Sequence, residues 1–440
     1  MHDKTNPLGV DAVGEQMYEL ISDLYPICRS ITGNGVRQTL ERIMQEVPLT
    51  VHEVPSGTRV FDWVVPREWN IEDAYVITPT GEKIAEFKKH NLHVLNYSAP
   101  VHEKVSLEEL KQHLFTLPEH PGWVPYRTSY YKENWGFCIS HNQLQSLAEG
   151  EYEVFIDASL EPGHLSYGEL FIQGETSEEV LFSCHICHPS LCNDNLSGIA
   201  LTTHLADYLA KQQLRYSYRF LFIPGTIGSI TWLALNEEKT RNIEHGFVVT
   251  CVGDGGPFSY KKSRRGSAEI DRAVLHVLRH SHEGFREIDF YPYGYDERQY
   301  CSPGFNLAVG SLSRSSHGQF PEYHTSADNL DLVKPQYLKE SFEAFVDVID
   351  VIENNRTYIN LNPKCEPQLG KRGLYRNVGA PSGSKVKEMA LLWTLNLSDG
   401  QHDLLAIAER SGEPFSDIRI AAQALLSCDL LKEVTGKAIA

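Results

Sequence analysis

The stretch that decides the fold is Glu179–Ala200, which reads EVLFSCHICHPSLCNDNLSGIA. Its first residues form an apolar run with the length and composition of a buried strand, and this run stops at His185. A second histidine, His188, follows, and the polar residues Asn193–Asn195 form a turn before a helix predicted to start near Ile199. A strand, a polar turn and a helix in this order place side chains at the carboxyl end of a sheet, where α/β proteins bind ligands.

Two imidazoles and a carboxylate converge in this turn. His185, His188 and Asp194 fall within ten residues of one another, and imidazole and carboxylate groups are preferred ligands of zinc. The alternative is an ordinary strand–helix turn, in which the aspartate caps the helix and the histidines are hydrogen-bonded. The turn therefore favours a divalent transition metal without requiring one.

The composition is that of a globular protein with more than one unit. A chain of 440 residues exceeds the usual size of one hydrophobic core, so two or three units are expected. The formal net charge of −18 argues against broad attraction to nucleic acid or to an anionic membrane. No apolar run is long enough to span a bilayer, and the polar start lacks a signal-peptide core, so a cytoplasmic location is expected. The nine cysteines are scattered and odd in number, and most are expected to be reduced thiols.

Changes of pattern along the chain divide it into three parts. Helical periodicity dominates residues 13–47, short alternating runs follow, and from residue 151 strand and helix patterns alternate. This alternation favours a largely parallel or mixed sheet with helices on both faces. The predicted domains are an α/β domain of residues 1–55 and 151–360, a β-rich subdomain of residues 56–150 and a C-terminal domain of residues 380–440.

Strands of the α/β part are predicted in YEVFIDAS, HLSYGELFIQG, EVLFSCH, YSYRFLFIPG and HGFVVTCVGD. Helices are predicted over Gly198–Lys211, Gly228–Asn236 and Ala268–His280. The stretch after Asn355 is irregular and is interpreted as a linker.

The last part of the chain, about Val386–Val434, has the pattern of three helices and a terminal strand, which resembles a winged helix. Its third helix carries Arg419 as its only basic residue, close to the acidic Asp417. This composition favours a role in protein contacts or packing over nucleic-acid binding. A DNA-binding regulator whose large domain senses a ligand is the rival hypothesis, and the acidic net charge opposes it.

Two further clusters contain carboxylates that suit a metal or a reacting group. Asp254 follows the apolar run Gly246–Val252 and is predicted to lie at a strand end, unless it is only a turn aspartate between glycines. The loop YGYDERQYCSP brings Asp296, Glu297 and Arg298 together, and these charges suit either a site or a solvated loop.

Two more segments add candidate residues. His324 lies in EYHTSAD, where its imidazole is a candidate ligand and Asp328 is a candidate partner that would orient the ring. Near the start of the chain, Arg29, Ser30 and Thr32 in RSITG either line a site or form a turn and its caps.

Taken together, these motifs resemble the di-zinc aminopeptidase superfamily, in which a phosphorylase/hydrolase-like sheet holds metal ions that act together. NDNLSGIA resembles the segment that supplies the metal-bridging aspartate of that family, which falls on Asp194. HIC resembles its His-x-Asp motif, which places a ligand on His185 and leaves Cys187 where an aspartate is expected. The resemblance further implies ligands at Asp254 and His324 and a site aspartate at Asp296.

A narrower resemblance covers nearly the whole chain. The motifs RSITG, HICHPS, NDNLSG, TIGS, DERQYCSPGF and EYHTSADN resemble a bacterial group of aminopeptidase-like proteins. That group carries an inserted β subdomain and a C-terminal winged helix, and it is often linked with polysaccharide or other biosynthetic pathways. The resemblance implies the same architecture for this chain.

One position departs from the pattern of that group. At the end of the strand YRFLFIP the group typically has a glutamate, in an element like PETIGS, where the aminopeptidases hold their general base and a metal ligand. This chain reads PGTIGS, and Gly225 has no side chain to accept a proton or bind a metal. Glu297 takes over from another loop, or activity is weak or lost, or the position is altered to hold a ligand. The sequence leaves all three open.

The sequence thus predicts a zinc-dependent aminopeptidase-like hydrolase that acts on a small peptide or an amide-bearing metabolite in a biosynthetic pathway. The predicted ligands of one or two zinc ions are His185, His188, Asp194, Asp254 and His324. The predicted catalytic residues are Asp296 and Glu297, and the predicted substrate-binding residues are Arg298, Tyr323 and Arg29. The alternative is a catalytically degenerate protein that binds a metal or ligand. Whether the chain forms a homo-oligomer, and which of the two histidines in the turn binds the metal, stay open.

Overall fold

The structure, a computed structural model, describes residues 10–130, 132–374 and 387–434. The chain divides into two compact units, one of residues 1–266 with 286–343 and the other of residues 267–285 with 344–440.

The described helices are α1 (Val10–Leu24), α2 (Asn34–Ile43), α3 (Leu107–Gln112), α4 (His141–Gln145), α5 (Ser197–Leu209), α6 (Ile227–Leu235), α7 (Glu269–Ser281), α8 (Glu297–Tyr300), α9 (Pro335–Asn354), α10 (Glu388–Leu397), α11 (Leu404–Ser411) and α12 (Phe415–Leu426). A π-helical turn, Cys192–Leu196, leads into α5. The observed α5, α6 and α7 begin and end within two residues of the helices predicted from the sequence. None of the described helices combines the length and apolar character needed to cross a membrane.

The described strands are β1 (Thr50–Pro55), β2 (Arg59–Val60), β3 (Trp63–Val64), β4 (Glu68–Ile77), β5 (Lys83–Ile84), β6 (Val101–Ser106), β7 (Leu114–Phe115), β8 (Phe137–Cys138), β9 (Glu151–Glu161), β10 (His164–Ile172), β11 (Glu179–His185), β12 (Ser217–Ile223), β13 (Ile243–Val249), β14 (Ser259–Lys261), β15 (Arg286–Ile288), β16 (Val309–Ser313), β17 (Thr357–Asn360), β18 (Asp399–Asp403) and β19 (Leu431–Glu433).

The core of the first unit is an eight-stranded mixed sheet with the strand order β1-β10-β12-β11-β13-β16-β14-β15. Its four central strands, β12, β11, β13 and β16, run parallel to one another. Every residue of β11 and of β12 is buried, which is typical of parallel strands covered on both faces. The predicted α/β fold with a mixed sheet is therefore confirmed, and the carboxyl ends of the central strands meet at one edge.

The β-rich subdomain is built on a four-stranded antiparallel sheet with the order β5-β4-β9-β6. Strand β9 belongs to this small sheet, whereas the sequence pattern predicted residues 151–161 to lie in the α/β domain. The reason lies in its burial, because Tyr152, Val154 and Ile156 are buried while the residues between them are partly exposed. Such a strand covers a small core on one face, and these three side chains pack with Ala74 of β4.

In the second unit, α10, α11 and α12 accompany a three-stranded antiparallel sheet with the order β18-β17-β19. This arrangement confirms the predicted winged helix. Strand β17 lies in the stretch that was predicted to be a linker, and Tyr358 pairs with Glu433 across the sheet. Residues 375–386 of that stretch lie outside the described residues. Arg419 of α12 forms an ion pair of 2.5 Å with Asp350, so the one basic side chain of this helix is engaged within the unit.

Candidate metal centre

The turn after β11 presents the carboxylate of Asp194, and this turn is held from behind by Asp328. The two carboxylate oxygens of Asp328 accept hydrogen bonds from the backbone N–H groups of Asn193, at 2.6 Å, and of Asp194, at 3.0 Å. All of these residues are buried. Asp328 therefore positions the turn that carries Asp194, whereas the sequence suggested that it would orient His324.

Four of the predicted ligands lie together. Nε2 of His185 is 2.8 Å from one carboxylate oxygen of Asp194, and Nε2 of His324 is 3.0 Å from the other. His188 completes the cluster, because one ligand atom from each of His185, His188 and Asp194 lies within 4.8 Å of the others. A tetrahedral zinc site separates neighbouring donor atoms by about 3.3 Å, given metal–ligand bonds of about 2.0–2.1 Å.

The protonation states of the cluster suit a metal ion. Nδ1 of His188 is 2.8 Å from the carbonyl oxygen of Cys187. A carbonyl only accepts, so this nitrogen carries the proton and Nε2 keeps its lone pair. Burial lowers the pKa of His188 to about 3. Burial alone would raise the pKa of Asp194, but His188 and His185 outweigh it and hold this pKa well below its usual range. Neutral imidazole and ionised carboxylate are the forms that bind zinc, so the donor set fits that ion.

A segment of the inserted subdomain closes over the histidines. The backbone N–H of Tyr126 donates to the carbonyl of His324 at 2.7 Å, and the N–H of Ser326 donates to the carbonyl of Val124 at 2.8 Å. The ring of Tyr126 lies 5.0 Å from that of His188 and 5.1 Å from that of His324. The insertion thus holds the loop that carries one candidate ligand and contacts another.

The space beside Gly225 is filled by Tyr295. A Cβ atom added to Gly225 would overlap the tyrosine ring, lying 2.6 Å from both Cζ and the phenolic oxygen. That oxygen is 3.4 Å from the carbonyl of Gly225 and 3.4 Å from Sγ of Cys187, and the ring lies 4.0 Å from that of His185. Burial raises the pKa of Tyr295 well above its usual range, so the phenol stays protonated. A neutral O–H group therefore stands at the place where the family resemblance predicted a glutamate.

Asp254 lies in a turn in which both of its carboxylate oxygens are occupied. One accepts from the side-chain amide of Asn193 at 2.6 Å, and the other accepts from Ser315 at 2.9 Å and from the N–H of Gly256 at 2.6 Å. Among the described residues, Asp254 does not belong to a group of ligand atoms within 4.8 Å of one another. The structure thus gives the predicted ligand Asp254 a role in fixing this turn and does not bring it to the histidines.

Glu297 and Asp296 are both buried and hydrogen-bonded outside the cluster. Glu297 accepts from the ammonium group of Lys261 at 2.8 Å and from the N–H of Tyr295 at 3.0 Å. This carboxylate supports the loop that carries Tyr295, which leaves it poorly placed to act as a base. Asp296 accepts from Ser229 at 3.0 Å, and burial raises its pKa to about 8.

The three predicted substrate-binding residues have different surroundings. The ring of Tyr323 stacks on that of His324, with centroids 3.9 Å apart, so it borders the cluster. Arg29 is fully buried, and its guanidinium donates to the carbonyl of Leu24 at 2.6 Å, while burial lowers its pKa to about 10. Arg298 is half-buried on α8, and the described structure gives its Nε no hydrogen bond. Tyr323 alone of these three contacts a predicted ligand.

Two residues that lie near Asp194 were not predicted from the sequence, namely Cys251 and His317. Their ligand atoms and one from Asp194 lie within 4.8 Å of one another. Neither ring nitrogen of His317 has a hydrogen bond in the described structure, although both are buried. The only signal in the sequence was position, because Cys251 and His317 follow the carboxyl ends of β13 and β16, two neighbouring parallel strands.

Comparisons with known proteins place the chain in a family. Residues 18–355 match a domain of unknown function (DUF4910), and residues 356–433 match a winged helix-turn-helix family. A Clostridium acetobutylicum protein is 56% identical over 421 residues, or 96% of this chain and 97% of that protein. It is provisionally named a polysaccharide biosynthesis protein with an aminopeptidase-like domain.

Solved structures show the same fold. A crystal structure from Clostridium acetobutylicum, provisionally named a peptidase, is 54% identical and has a TM-score of 0.92, covering 97% of this chain and 98% of that one. A zinc aminopeptidase from Bacillus subtilis is 13% identical with a TM-score of 0.56, covering 77% and 94%. A peptidase M28 precursor from Shewanella amazonensis is 13% identical with a TM-score of 0.57, covering 78% and 95%. The chain therefore belongs to the DUF4910 family, with an aminopeptidase-like fold and a C-terminal winged helix.

Proposed function

We propose that the chain is a zinc-dependent aminopeptidase-like hydrolase that cleaves an amide bond in a small peptide or an amide-bearing metabolite. The observation that carries this proposal is the position of Asp194. Its two carboxylate oxygens each contact an imidazole, from His185 and from His324, and His188 stands beside them. The zinc aminopeptidase among the structures of similar fold supports the choice of metal and reaction.

The name of one relative supports the proposed substrate class. The provisional name of the Clostridium acetobutylicum protein joins an aminopeptidase-like domain to polysaccharide biosynthesis. This supports an amide in a biosynthetic precursor as the substrate. A cytoplasmic location remains a prediction from the sequence.

The proposed roles of the residues follow from their contacts. His185, His188, Asp194 and His324 would hold the zinc ion, and the carbonyl of Cys187 fixes the tautomer of His188. A bound zinc ion would polarise a carbonyl oxygen and lower the pKa of water. The two hydrogen-bond contacts of the Tyr295 phenol among the described residues are long, at 3.4 Å, so its O–H can turn to donate to an oxygen of the substrate.

The lack of a carboxylate at position 225 lowers the expected rate of amide hydrolysis. Among the described residues, the side chain nearest to Gly225 is the phenol of Tyr295 and not a carboxylate, and Glu297 is paired with Lys261. General-base catalysis contributes about 10²–10⁴-fold in rate, so turnover is expected to be slower by a factor in this range than with a glutamate at position 225.

Metal analysis of the purified chain tests the proposal. We expect near-stoichiometric zinc in the unaltered chain and loss of this ion in His188→Ala. His245→Ala is the matched control, since His245 is also a buried histidine of the central sheet but contacts Tyr216 and not the cluster. Absence of zinc and of similar ions from the unaltered chain would reject the metal, and full occupancy in His188→Ala would reject this ligand set.

A second candidate function is ligand binding without turnover. Gly225 and the protonated Tyr295 favour it, because a phenol that keeps its proton fills the place where a glutamate was expected to act as the base. The variant Gly225→Glu with Tyr295→Ala makes room for a carboxylate and separates the two candidates. Hydrolysis of an amide panel only by this double variant supports a binding protein, whereas hydrolysis by the unaltered chain supports the enzyme.

A further inference from the structure

Arg29, in the RSITG segment, is a buried cation that the roles proposed above leave unused. Its side chain is 0% exposed, and Nη1 donates to the carbonyl of Leu24, the last residue of α1, at 2.6 Å. Nε and Nη2 of Arg29 are buried and have no hydrogen-bond partner among the described residues. A buried charge without an opposite charge or a full set of hydrogen bonds costs free energy, so these two donors call for a partner.

A second buried arginine shows which kind of partner is missing. Nε and Nη2 of Arg219 donate to the two carboxylate oxygens of Glu179, at 2.7 and 2.9 Å, and its Nη1 binds Glu169. The N–H groups of Nε and Nη2 form one edge of the guanidinium, a fork that fits two oxygens of a carboxylate or a phosphate. The same fork is the part of Arg29 that has no partner. What Arg29 lacks is therefore an oxyanion.

The thiols around Arg29 do not supply the missing negative charge. Cys28, Cys187 and Cys192 interact electrostatically with the guanidinium. Burial raises the pKa of Cys28 and of Cys187 to about 12 and that of Cys192 well above its usual range. Burial lowers the pKa of Arg29 to about 10, which still keeps it charged near pH 7. Neutral thiols thus surround a charged guanidinium.

Hydrogen bonds fix the backbone of the segment that carries Arg29. The hydroxyl of Ser30 donates to Oδ1 of Asn96 at 2.6 Å, and Nδ2 of Asn96 donates to the carbonyl of Arg29 at 3.3 Å. The hydroxyl of Thr32 accepts from the backbone N–H of Trp69 at 3.0 Å. All of these residues are buried. The segment is therefore held in place before any ligand binds, which lowers the entropy lost on binding.

Arg29 lies near the turn that carries the proposed zinc ligands. The hydroxyl of Ser190, two residues after His188, donates to the carbonyl of Tyr25 at 2.8 Å, and Arg29 follows Tyr25 by four residues. The charge of Arg29 also interacts with the thiol of Cys187, the residue before His188. A small substrate whose amide lies at the metal can thus extend an anionic group towards Arg29.

We propose that Nε and Nη2 of Arg29 bind a carboxylate or phosphate group of the substrate, so that the substrate is an anionic amide. This inference rests on the function proposed above and adds the charge of the substrate to it. Because the guanidinium is enclosed, the anion enters only when the covering chain moves, and it is then held away from water. Charge-assisted hydrogen bonds are strong in such surroundings.

The test measures the thermal unfolding midpoint of the full chain in sodium acetate or sodium phosphate, against sodium chloride of equal ionic strength. An ion that binds the folded chain raises this midpoint. We expect a rise with acetate if the substrate group is a carboxylate, and with phosphate if it is a phosphate. Arg29→Met removes the fork and should weaken binding about 10–100-fold, so this rise should be lost. Arg29→Lys keeps the charge without the fork and should lie between the two.

A control variant separates this site from a general effect of charge. Arg42 forms ion pairs with Asp23 and Glu46, so Arg42→Met removes an arginine whose partners are present. It should keep the full rise with the anion. Phosphate stabilises many proteins without a specific site, and such an effect would be the same in Arg29→Met. An equal rise in the unaltered chain and in Arg29→Met, or no rise with either ion, overturns the proposal.

The failure of this inference can be told apart from failure of the proposed function. Arg29→Met should keep the zinc content of the unaltered chain. Zinc binding without a specific anion effect overturns the role of Arg29 and leaves the zinc site intact, whereas an anion effect without zinc rejects the metal and supports the anion site. In the amide panel, equal hydrolysis of a carboxylate- or phosphate-bearing amide and its uncharged counterpart overturns the substrate class.

Discussion

Replacing Gly225 with alanine tests whether Tyr295 occupies the place of the missing side chain. The new methyl group would overlap the tyrosine ring, with Cζ and the phenolic oxygen at 2.6 Å. Contacts between carbon atoms are normally about 3.5–4.0 Å, and ring atom Cε1 lies closer still to the new methyl group, so the ring must move by about 1.5–2 Å. Such overpacking typically costs about 1–3 kcal/mol. The moving ring also lies 4.0 Å from that of His185, so we expect weaker zinc binding as well.

A double-mutant cycle isolates this contact. In the background of Tyr295→Ala the ring is absent, and Gly225→Ala should then change the free energy of unfolding by less than about 0.5 kcal/mol. Urea unfolding followed by tryptophan fluorescence suits the measurement, because Trp69 and Trp232 are buried in the core of this unit. Gly304→Ala is the control, since its Cβ would meet no atom within 4 Å. An equal cost of Gly225→Ala in both backgrounds would refute the reasoning.

Three further predictions concern buried carboxylates. The variant Asp328→Asn leaves one of the two N–H groups of the Asp194 turn without an acceptor, so the free energy of unfolding should fall by about 1–3 kcal/mol. Zinc affinity, measured by competition with a chelator, should fall about 10–100-fold. An unchanged affinity would contradict the role given to Asp328. The pKa of Asp296 is raised by burial from 3.8 to about 8, so its folded form keeps a proton that the unfolded form loses, and stability falls as the pH rises between these values. Between pH 6 and 9 the unaltered chain should therefore lose about 2–3 kcal/mol more than Asp296→Asn, as measured by urea midpoints, and parallel profiles would contradict this. Arg219 forms ion pairs with Glu179, at 2.7 Å, and with Glu169, and all three side chains are buried. The variant Arg219→Met leaves both carboxylates without their partner, so it should lower the free energy of unfolding by about 3–5 kcal/mol in the same assay. A loss below about 1 kcal/mol would show that these ion pairs are dispensable for stability.

The sequence predicted those features that depend on neighbouring residues. The end of β11 at His185 and the start of α5 near Gly198 follow from an apolar run, a polar turn and a helical pattern, all within 22 residues. Strand β9 was assigned to the wrong sheet because its partner β4 lies about 80 residues earlier, and pairing at that distance leaves no local pattern.

The candidate site was predictable only in part for a similar reason. His185, His188, Asp194 and His324 stand in recognisable motifs, and the structure brings them together. His317 lies in an ordinary loop sequence, and only the order of strands in the sheet places it near Asp194. The absence of a glutamate at position 225 was visible in the sequence, but the tyrosine that fills its place comes from 70 residues later.

The hydrogen bonds between residues 124–126 and the loop of His324 tie the inserted subdomain to a candidate metal ligand. The two strands of backbone are joined in register, since Tyr126 binds the carbonyl of His324 and Val124 binds the N–H of Ser326. A one-residue insertion or deletion in either segment would shift the other out of step. Changing the length of the backbone at residues 124–126 of the inserted subdomain would therefore also displace His324, a candidate metal ligand.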